Sequence, residues 1–317
     1  MTLERGATID TLRLRAAMLD RVRAFFAARG VLEVETASLS PAAPTDPALE
    51  SIAAHVERLG GARYLHTSPE FAMKRLLADG IGDIYQLCRV YRDGEIGRWH
   101  QPEFTMLEWY RLALDDAQLM DEVEALVRAV VGGRAAEWPA LRVTYRDAFE
   151  QALGVDPLLE PDAVEARLRE RGIDVPAGLD VDGVLDLALA AAVLPSLPAE
   201  KWIFVHDYPA NQAALARLKP GAPQVAARFE LFAEGLELAN GWAELTDAKE
   251  QRRRFDADQA VRQRRGLPVR PIDDAFLAAL ERGLPDCAGV ALGFDRLVAV
   301  AAGLSSVAAT VAFAHRG

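Results

Sequence analysis

Only two cysteines, Cys88 and Cys287, occur in 317 residues. That excludes a disulfide framework and, at their spacing, a thiolate metal site; it fits a reducing cytoplasm. Basic charge is also in short supply, with 36 Lys and Arg against 47 Asp and Glu for a net charge of −11. A broad nucleic-acid footprint, which shows as a basic face, is therefore disfavoured, although a local patch is not. No apolar run is long enough to span a bilayer, and none near the N-terminus makes a signal-peptide core. The closest approach, Val290 to Phe313, is broken by Gly293, Asp295, Arg296 and Gly303 and reads as a buried helix. There is no internal repeat and no low-complexity tract.

What is present is a succession of periodic segments. Residues 11–29 place Leu14, Met18, Val22 and Phe25 on one helical face with arginines opposite, and Gly30 is positioned to end the helix. Residues 31–36 alternate as a half-buried strand, after which Pro41, Pro44 and Pro47 mark a loop. Residues 65–80 read as a strand end, a Ser-Pro-Glu helix start and a short amphipathic helix stopped by Gly80. Residues 83–93 and 104–114 read as two antiparallel strands, and 115–131 as a helix. From about 140 to 225 the chain is rich in Ala and Leu, with Pro157, Pro161, Pro176, Pro195 and Pro198 separating short helical pieces. A strand at 201–209, a second hairpin at 228–245 and an arginine-rich helix at 247–265 follow. Strands in hairpins with helices around them predict an α+β domain on an antiparallel sheet.

Chemistry concentrates at RDGEIGRWHQPEFTMLE (92–108), where cations, carboxylates and aromatics share a hairpin with an apolar frame. Activating a carboxylate with ATP calls for this inventory. Guanidinium groups bind phosphate through paired hydrogen bonds, carboxylates hold Mg2+, and an aromatic face accepts adenine. Arg92, His100, Phe104, Glu230, Glu237 and Arg296 supply it. Singly, each has an ordinary reading: a solvated arginine, a core phenylalanine, a helix-capping Asp in Gly293-Phe-Asp-Arg296. Their combination is what points to adenylation.

Three segments resemble the three signature motifs of class II aminoacyl-tRNA synthetases: the helix and strand of 11–36 leading to Pro41, YRDGEIGRWHQPEF (91–104) and GVALGFDRL (289–297). SPEFAMKRLL (68–77), HQPEFTMLEWY (100–110) and ELANGWAELTDA (237–248) are similar to lysyl-tRNA synthetase catalytic domains. Such enzymes carry an N-terminal anticodon-binding barrel, for which this sequence leaves no room. A barrel-less, acidic paralogue, with LPDCAGVALG at 284–293, resembles the elongation factor P–(R)-β-lysine ligase family. The resemblance implies a single class II catalytic domain over 1–317 with a helical insertion near 140–225, a homodimer, and no membrane association. It implies ATP and Mg2+, (R)-β-lysine as the activated acid, and elongation factor P rather than tRNA as the acceptor.

The resemblance also implies roles. Arg92 and Arg296 would hold phosphate, with His100 beside them and Phe104 stacked on adenine. Asp93, Gly94, Gln101, Leu238 and Gly293 would complete the ATP site. Glu230 and Glu237 would be the Mg2+ ligands. Ser68, Pro69, Glu70, Tyr110, Asn240 and Glu244 would form the amino-acid pocket, with Glu244 and Glu70 facing the substrate's amines. Ala291, where tRNA-charging relatives have glycine, would narrow the pocket beside the α-carbon. Arg92-Asp93-Gly94 departs from the family's Arg-Asn-Glu, so the adenine contact falls to backbone groups at Gly94 or to Glu95. Gln101 replaces an Asn, and Trp242 and Ala243 are further departures near the pocket. The six arginines of 251–265 read either as a solvated, charge-balanced face or as a docking surface for the acceptor. Two other functions fit the same motifs: charging tRNA or another amine with α-lysine, and a non-catalytic amino-acid sensor.

Overall fold

The computed structural model describes residues 3–59 and 61–315. Its centre is an eight-stranded sheet made, in chain order, of β1 (Leu32–Glu33), β2 (Ile84–Tyr91), β3 (Glu103–Leu112), β4 (Ala140–Thr144), β5 (Trp202–Pro209), β6 (Val225–Ala233), β7 (Leu236–Ala243) and β8 (Cys287–Gly293). The spatial order is β1-β2-β3-β8-β7-β6-β5-β4. The six central strands run antiparallel, as the hairpin signals predict, whereas β1 pairs parallel with β2 and β4 parallel with β5. The sheet is thus antiparallel with a parallel pair at each edge. The strand β4 is absent from the sequence reading, which has only short helical pieces between about 140 and 201. The 140–225 segment therefore supplies two strands to the main sheet as well as helices.

Strand alternation sorts the two faces. Leu107 and Trp109, Trp202 and Phe204, Phe229 and Leu231, and Val290 and Leu292 point to one side. There they pack with Met18, Val22 and Phe26 of α1 (Ile9–Ala27), Leu119, Val123 and Val127 of α3, and Leu297 and Val298 of α9. The helical face expected of 11–29 is the buried one. Of the intervening helices, α2 is Glu70–Ala78 and α3 is Asp116–Val131, the latter entered through a capping box of Asp115 and Gln118. Helices α4 (Tyr145–Leu153), α5 (Pro161–Glu170) and α6 (Val181–Ala188) cover the other face at its β4–β6 end, against Ile203, Val205 and Phe232. At the β2 end that face is covered by α2 and α8 (Asp274–Gly283), with Phe255 of α7 (Ala248–Arg264). The last helix, α9, is Phe294–Ala302. Between these two covered ends the face is open, and a cleft of about 1480 Å³ lies over it.

Candidate active site

The cleft floor comes from three adjacent strands in register. On β8, Gly289, Ala291 and Gly293 face the cleft; opposite them on β3 stand Tyr110, Glu108 and Met106. On the β7 side, Trp242 is opposite Gly289 and Asn240 opposite Ala291. Ala291 therefore sits between Glu108 and Asn240 at mid-floor. Glu237 and Asn240 are three residues apart and would point to opposite faces of a regular strand. The β6–β7 register slips between Leu231, opposite Ala239, and Phe232, opposite Glu237, leaving Leu238 as the extra residue of a bulge. The bulge puts both Glu237 and Asn240 on the cleft.

One end of the cleft is cationic. Arg92 stands at the end of β2 with its guanidinium 5.0 Å from the Phe104 ring centroid and 3.5 Å from Glu95. Its Nε is buried and has no hydrogen-bond partner among the described residues, a donor aimed at nothing the protein supplies. Arg296, in the first turn of α9, donates to the Glu237 carbonyl at 2.8 Å and to His100 Nε2 at 2.8 Å. Burial first, and then the Arg296 charge, hold His100 below the usual imidazole range, in keeping with a ring nitrogen that faces the Arg296 donor. The motif helices are locked together behind this end. Asp295 pairs with Arg15 of α1 at 2.5 Å and accepts from the Thr105 amide at 3.0 Å.

The other end is acidic and dry. Glu108 is 2% exposed; it accepts from Ser68 Oγ at 2.7 Å and from the Tyr110 hydroxyl at 2.6 Å. Burial, with Glu70 nearby, pushes its carboxyl up to about 8. Glu244, 1% exposed, accepts from Trp242 Nε1 at 2.7 Å, and burial pushes it up to about 7 against the pull of Lys74. Pro69 caps α2, Glu70 opens it, and the Glu70 amide donates to Ser68 Oγ at 3.0 Å.

Several expected assignments move. Glu70 and Glu244 do not wait bare for substrate: Lys74 Nζ lies 2.6 Å from each. Glu230, expected to hold Mg2+, is 8% exposed, pairs with Arg228 and accepts from the Tyr208 hydroxyl at 2.7 Å. Both of its oxygens are thus engaged, while Glu237 is half-buried and borders the cleft. Gln101 spends its amide on the backbone of His315, accepting from its N–H at 2.8 Å and donating to its carbonyl at 3.1 Å, so its side chain is not free for ATP. Asp93 and Gly94 are exposed on the hairpin and do not line the cleft, whereas Glu95 does. Asn240 lines the cleft but accepts from Arg228 Nε at 3.1 Å. Gly293 and Leu238 border the cationic end, with Leu238 itself in the core. Among the described residues no group of three or more His, Cys, Asp or Glu could cage a metal ion.

The arginine helix is likewise not a free docking face. Arg262 is fully buried. It donates to Glu50 at 2.6 Å and to the carbonyls of Asp46, Leu49 and Pro268 at 3.0, 3.3 and 2.7 Å. Arg265 is half exposed and pairs with Asp180 at 2.7 Å. Arg252 and Arg253 pair within their own helix, which is the charge-balanced reading.

The residues missed by sequence reasoning are Glu108, Lys74, Arg228 and Gly289. Glu108 had a signal, since it shares the β3 cleft face with Phe104 and Tyr110 at period two. The others become visible only when distant segments meet.

A polar cleft with arginines at one end and buried carboxylates at the other is built for an anion joined to a cation. The family model for class II tRNA synthetases (D, K and N) matches residues 1–317. A Klebsiella pneumoniae protein named elongation factor P–(R)-β-lysine ligase is 45% identical over 98% of this chain and 97% of its own length. A Salmonella arizonae protein of the same name is 44% identical over the same shares. The chain belongs to this ligase family of class II synthetases. Members of the class activate a carboxylate with ATP, generally with Mg2+, and the cleft's two ends suit that task. No helix among the described residues is long and apolar enough to cross a membrane.

Proposed function

We propose that the chain activates (R)-β-lysine with ATP and transfers the β-lysyl group to the ε-amine of a lysine on elongation factor P. The observation that carries this reading is the acid box of Glu70, Glu108 and Glu244 at the dry end of the cleft. Buried carboxylates are costly unless cations pair with them; Lys74 supplies one cation to three carboxyl groups, and a substrate rich in ammonium groups supplies more. The name that the two relatives carry supports the acceptor.

In the first step a carboxylate oxygen of the amino acid bonds to the α-phosphorus of ATP, and the bond from that phosphorus to the β-bridging oxygen breaks, releasing pyrophosphate. Arg92, with its unpartnered Nε, neutralises charge at the α-phosphate, and Phe104 offers adenine a stacking face beside it. Arg296, fixed by His100 and the Glu237 carbonyl, faces the leaving phosphates. In the second step the acceptor amine, having lost a proton, attacks the acyl carbon; the amide forms and AMP leaves. No protein nucleophile is required, and the catalysis is placement plus fixed charge.

Mg2+ generally takes one or two carboxylates plus substrate phosphates and water. Glu237 fits that demand, and Glu230 would join it with the oxygen that Arg228 now holds. When bound, the ion supplies further charge neutralisation on the phosphates. Ala291, between Glu108 and Asn240, places a methyl at mid-floor where an α-amino group would crowd, favouring the β-isomer. The exposed apolar residues Leu32 and Leu39 lie along the first motif, with Ile9 just before it, supporting a second copy there. The acidic surface makes tRNA a poor acceptor, and the reaction belongs in the cytoplasm beside the translation factor.

The test is the intact mass of elongation factor P after incubation with enzyme, ATP and either lysine isomer. A gain of one lysyl mass with (R)-β-lysine, and little charging of tRNA-Lys in the same mixture, is expected. Efficient tRNA charging with an unmodified factor would refute the reading.

A further inference from the structure

Lys74 takes no part in the steps above, yet it is 1% exposed and lies directly behind the acid box. Glu70, Glu108 and Glu244 line the cleft and Lys74 does not. Its Nζ takes Oε1 of Glu70 and Oε2 of Glu244, each at 2.6 Å, and sits 6.0 and 5.8 Å from the ring centroids of Tyr110 and Phe276. Trp242 donates to the same Oε2 of Glu244. Among the described residues no hydrogen bond reaches Glu70 Oε2 or Glu244 Oε1, and Glu244 Oε1 hangs over Gly289, where a Cβ would lie only 2.5 Å from it. Both oxygens of Glu108 are taken by Ser68 and Tyr110.

We propose that Lys74 is a positioning residue for substrate: it grips one oxygen of Glu70 and one of Glu244 and turns the other of each to the cleft. Two anionic oxygens on separate carboxylates then select an amino acid with two ammonium groups. This inference rests on reading the cleft as an amino-acid activation site. The cation has to be internal because two carboxylates this close to one point would otherwise share a proton. The groups facing it are Glu70 on its own helix, Glu244 after β7, Glu108 and Tyr110 on β3, and Cys287 on β8. Burial keeps the Cys287 thiol neutral, pushed up to about 12, so the two glutamates are its partners.

The test is ATP–pyrophosphate exchange by the full-length protein from pH 6 to 9, with (R)-β-lysine, α-lysine and the monoamine 3-aminohexanoate. Lys74→Met should raise KM for the diamino acid at least about tenfold, the cost of losing hydrogen bonds to charged groups, with KM for ATP within about twofold. Lys74 pulls the Glu244 carboxyl down against its burial, so without the cation Glu244 holds its proton to higher pH. The acid limb of kcat/KM for the amino acid should therefore move up by about one unit or more, and preference over the monoamine should shrink. Lys74→Arg should return the limb to its wild-type position while KM recovers only in part. A folded Lys74→Met with unchanged KM and limb would overturn the proposal, as would equal losses toward both substrates with a lowered Tm. If Lys74→Met does not fold, Lys74→Arg decides: an elevated amino-acid KM supports positioning, and a wild-type KM overturns it. If the wild-type enzyme exchanges with neither lysine isomer, the activation reading itself fails, a result separable from all of these.

Discussion

Gly289 lies directly opposite Tyr110 across the β3–β8 ladder, and a Cβ on it would fall 2.3 Å from Tyr110 Cε1 and 2.5 Å from Glu244 Oε1. The missing side chain is therefore what lets the tyrosine and the glutamate share the dry end of the cleft. A methyl there has no soft neighbour to displace, since Tyr110 is 2% and Glu244 1% exposed. Gly289→Ala should cost about 1–3 kcal/mol of stability through overpacking. It should also raise KM for the amino acid at least about tenfold while leaving KM for ATP near wild type. Steady-state exchange kinetics beside a thermal melt check both, and a variant with wild-type amino-acid KM would show that the close approach is not functional.

Arg262 and Arg265 stand one helical turn apart and should behave oppositely. Arg262 is buried and donates to Glu50, which also pairs with Arg270, and to three carbonyls, so Arg262→Ala leaves those carbonyls underpaired. Each buried carbonyl left without its donor costs about 1–3 kcal/mol, which together lowers Tm by roughly 5 °C or more in a chain of this size. Arg265→Ala breaks a half-exposed pair worth about 0–1 kcal/mol and should melt with the wild type. Equal Tm values for the two variants would contradict the burial assigned to Arg262.

The contrast explains what the sequence could disclose. Period-two alternation in 104–114 and 228–245 gave the hairpins, and helical periodicity in 11–29 gave the face that packs on the sheet. Gly-Phe-Asp-Arg at 293–296 marked the strand-to-helix turn, and Arg92 with Arg296 emerged at one end of the cleft. Where contacts cross long stretches of chain, local pattern is silent. Arg262 looked solvated because its run is charged, and its burial comes from residues 46–50. Lys74 is four residues after Glu70 on one helix, which announces an ordinary helical pair; Glu244 arrives from the far end of the fold. The edge strand Ala140–Thr144 pairs parallel with β5, so no hairpin signal accompanies it. The bulge at Leu238 hides the shared face of Glu237 and Asn240 from any period-two count.

The two glutamates of the β6–β7 hairpin should separate in experiment. Glu237 is 43% exposed at its side chain, so Glu237→Gln should leave Tm nearly unchanged. Exchange should fall by about a hundredfold, the scale of losing one electrostatic stabiliser. Glu230→Gln, by contrast, turns one of two buried acceptor oxygens into a donor facing Arg228 or the Tyr208 hydroxyl and should lower both Tm and exchange. Near-normal exchange in a folded Glu237→Gln protein would remove Glu237 from the phosphate end.

Buried carboxylates also tie stability to pH in a stated direction. Burial raises Glu108 to about 8 and Glu230 and Glu244 to about 7, from an ordinary value of 4.5. Between pH 4.5 and about 8 the folded chain holds protons that the unfolded chain has released, so stability falls as pH rises through that window. The contribution is fully present below 4.5 and lost above about 8. Over pH 6 to 8.5 the Tm of the ligand-free protein should therefore decline. A diamino acid that pairs with the ionised carboxylates should restore more of it at pH 8.5 than at pH 6, because at the lower pH it must first displace protons. Differential scanning fluorimetry with and without (R)-β-lysine across this range reads both effects. A flat ligand-free profile, or a ligand shift larger at pH 6, would mean that the acid box is already ionised and paired without substrate.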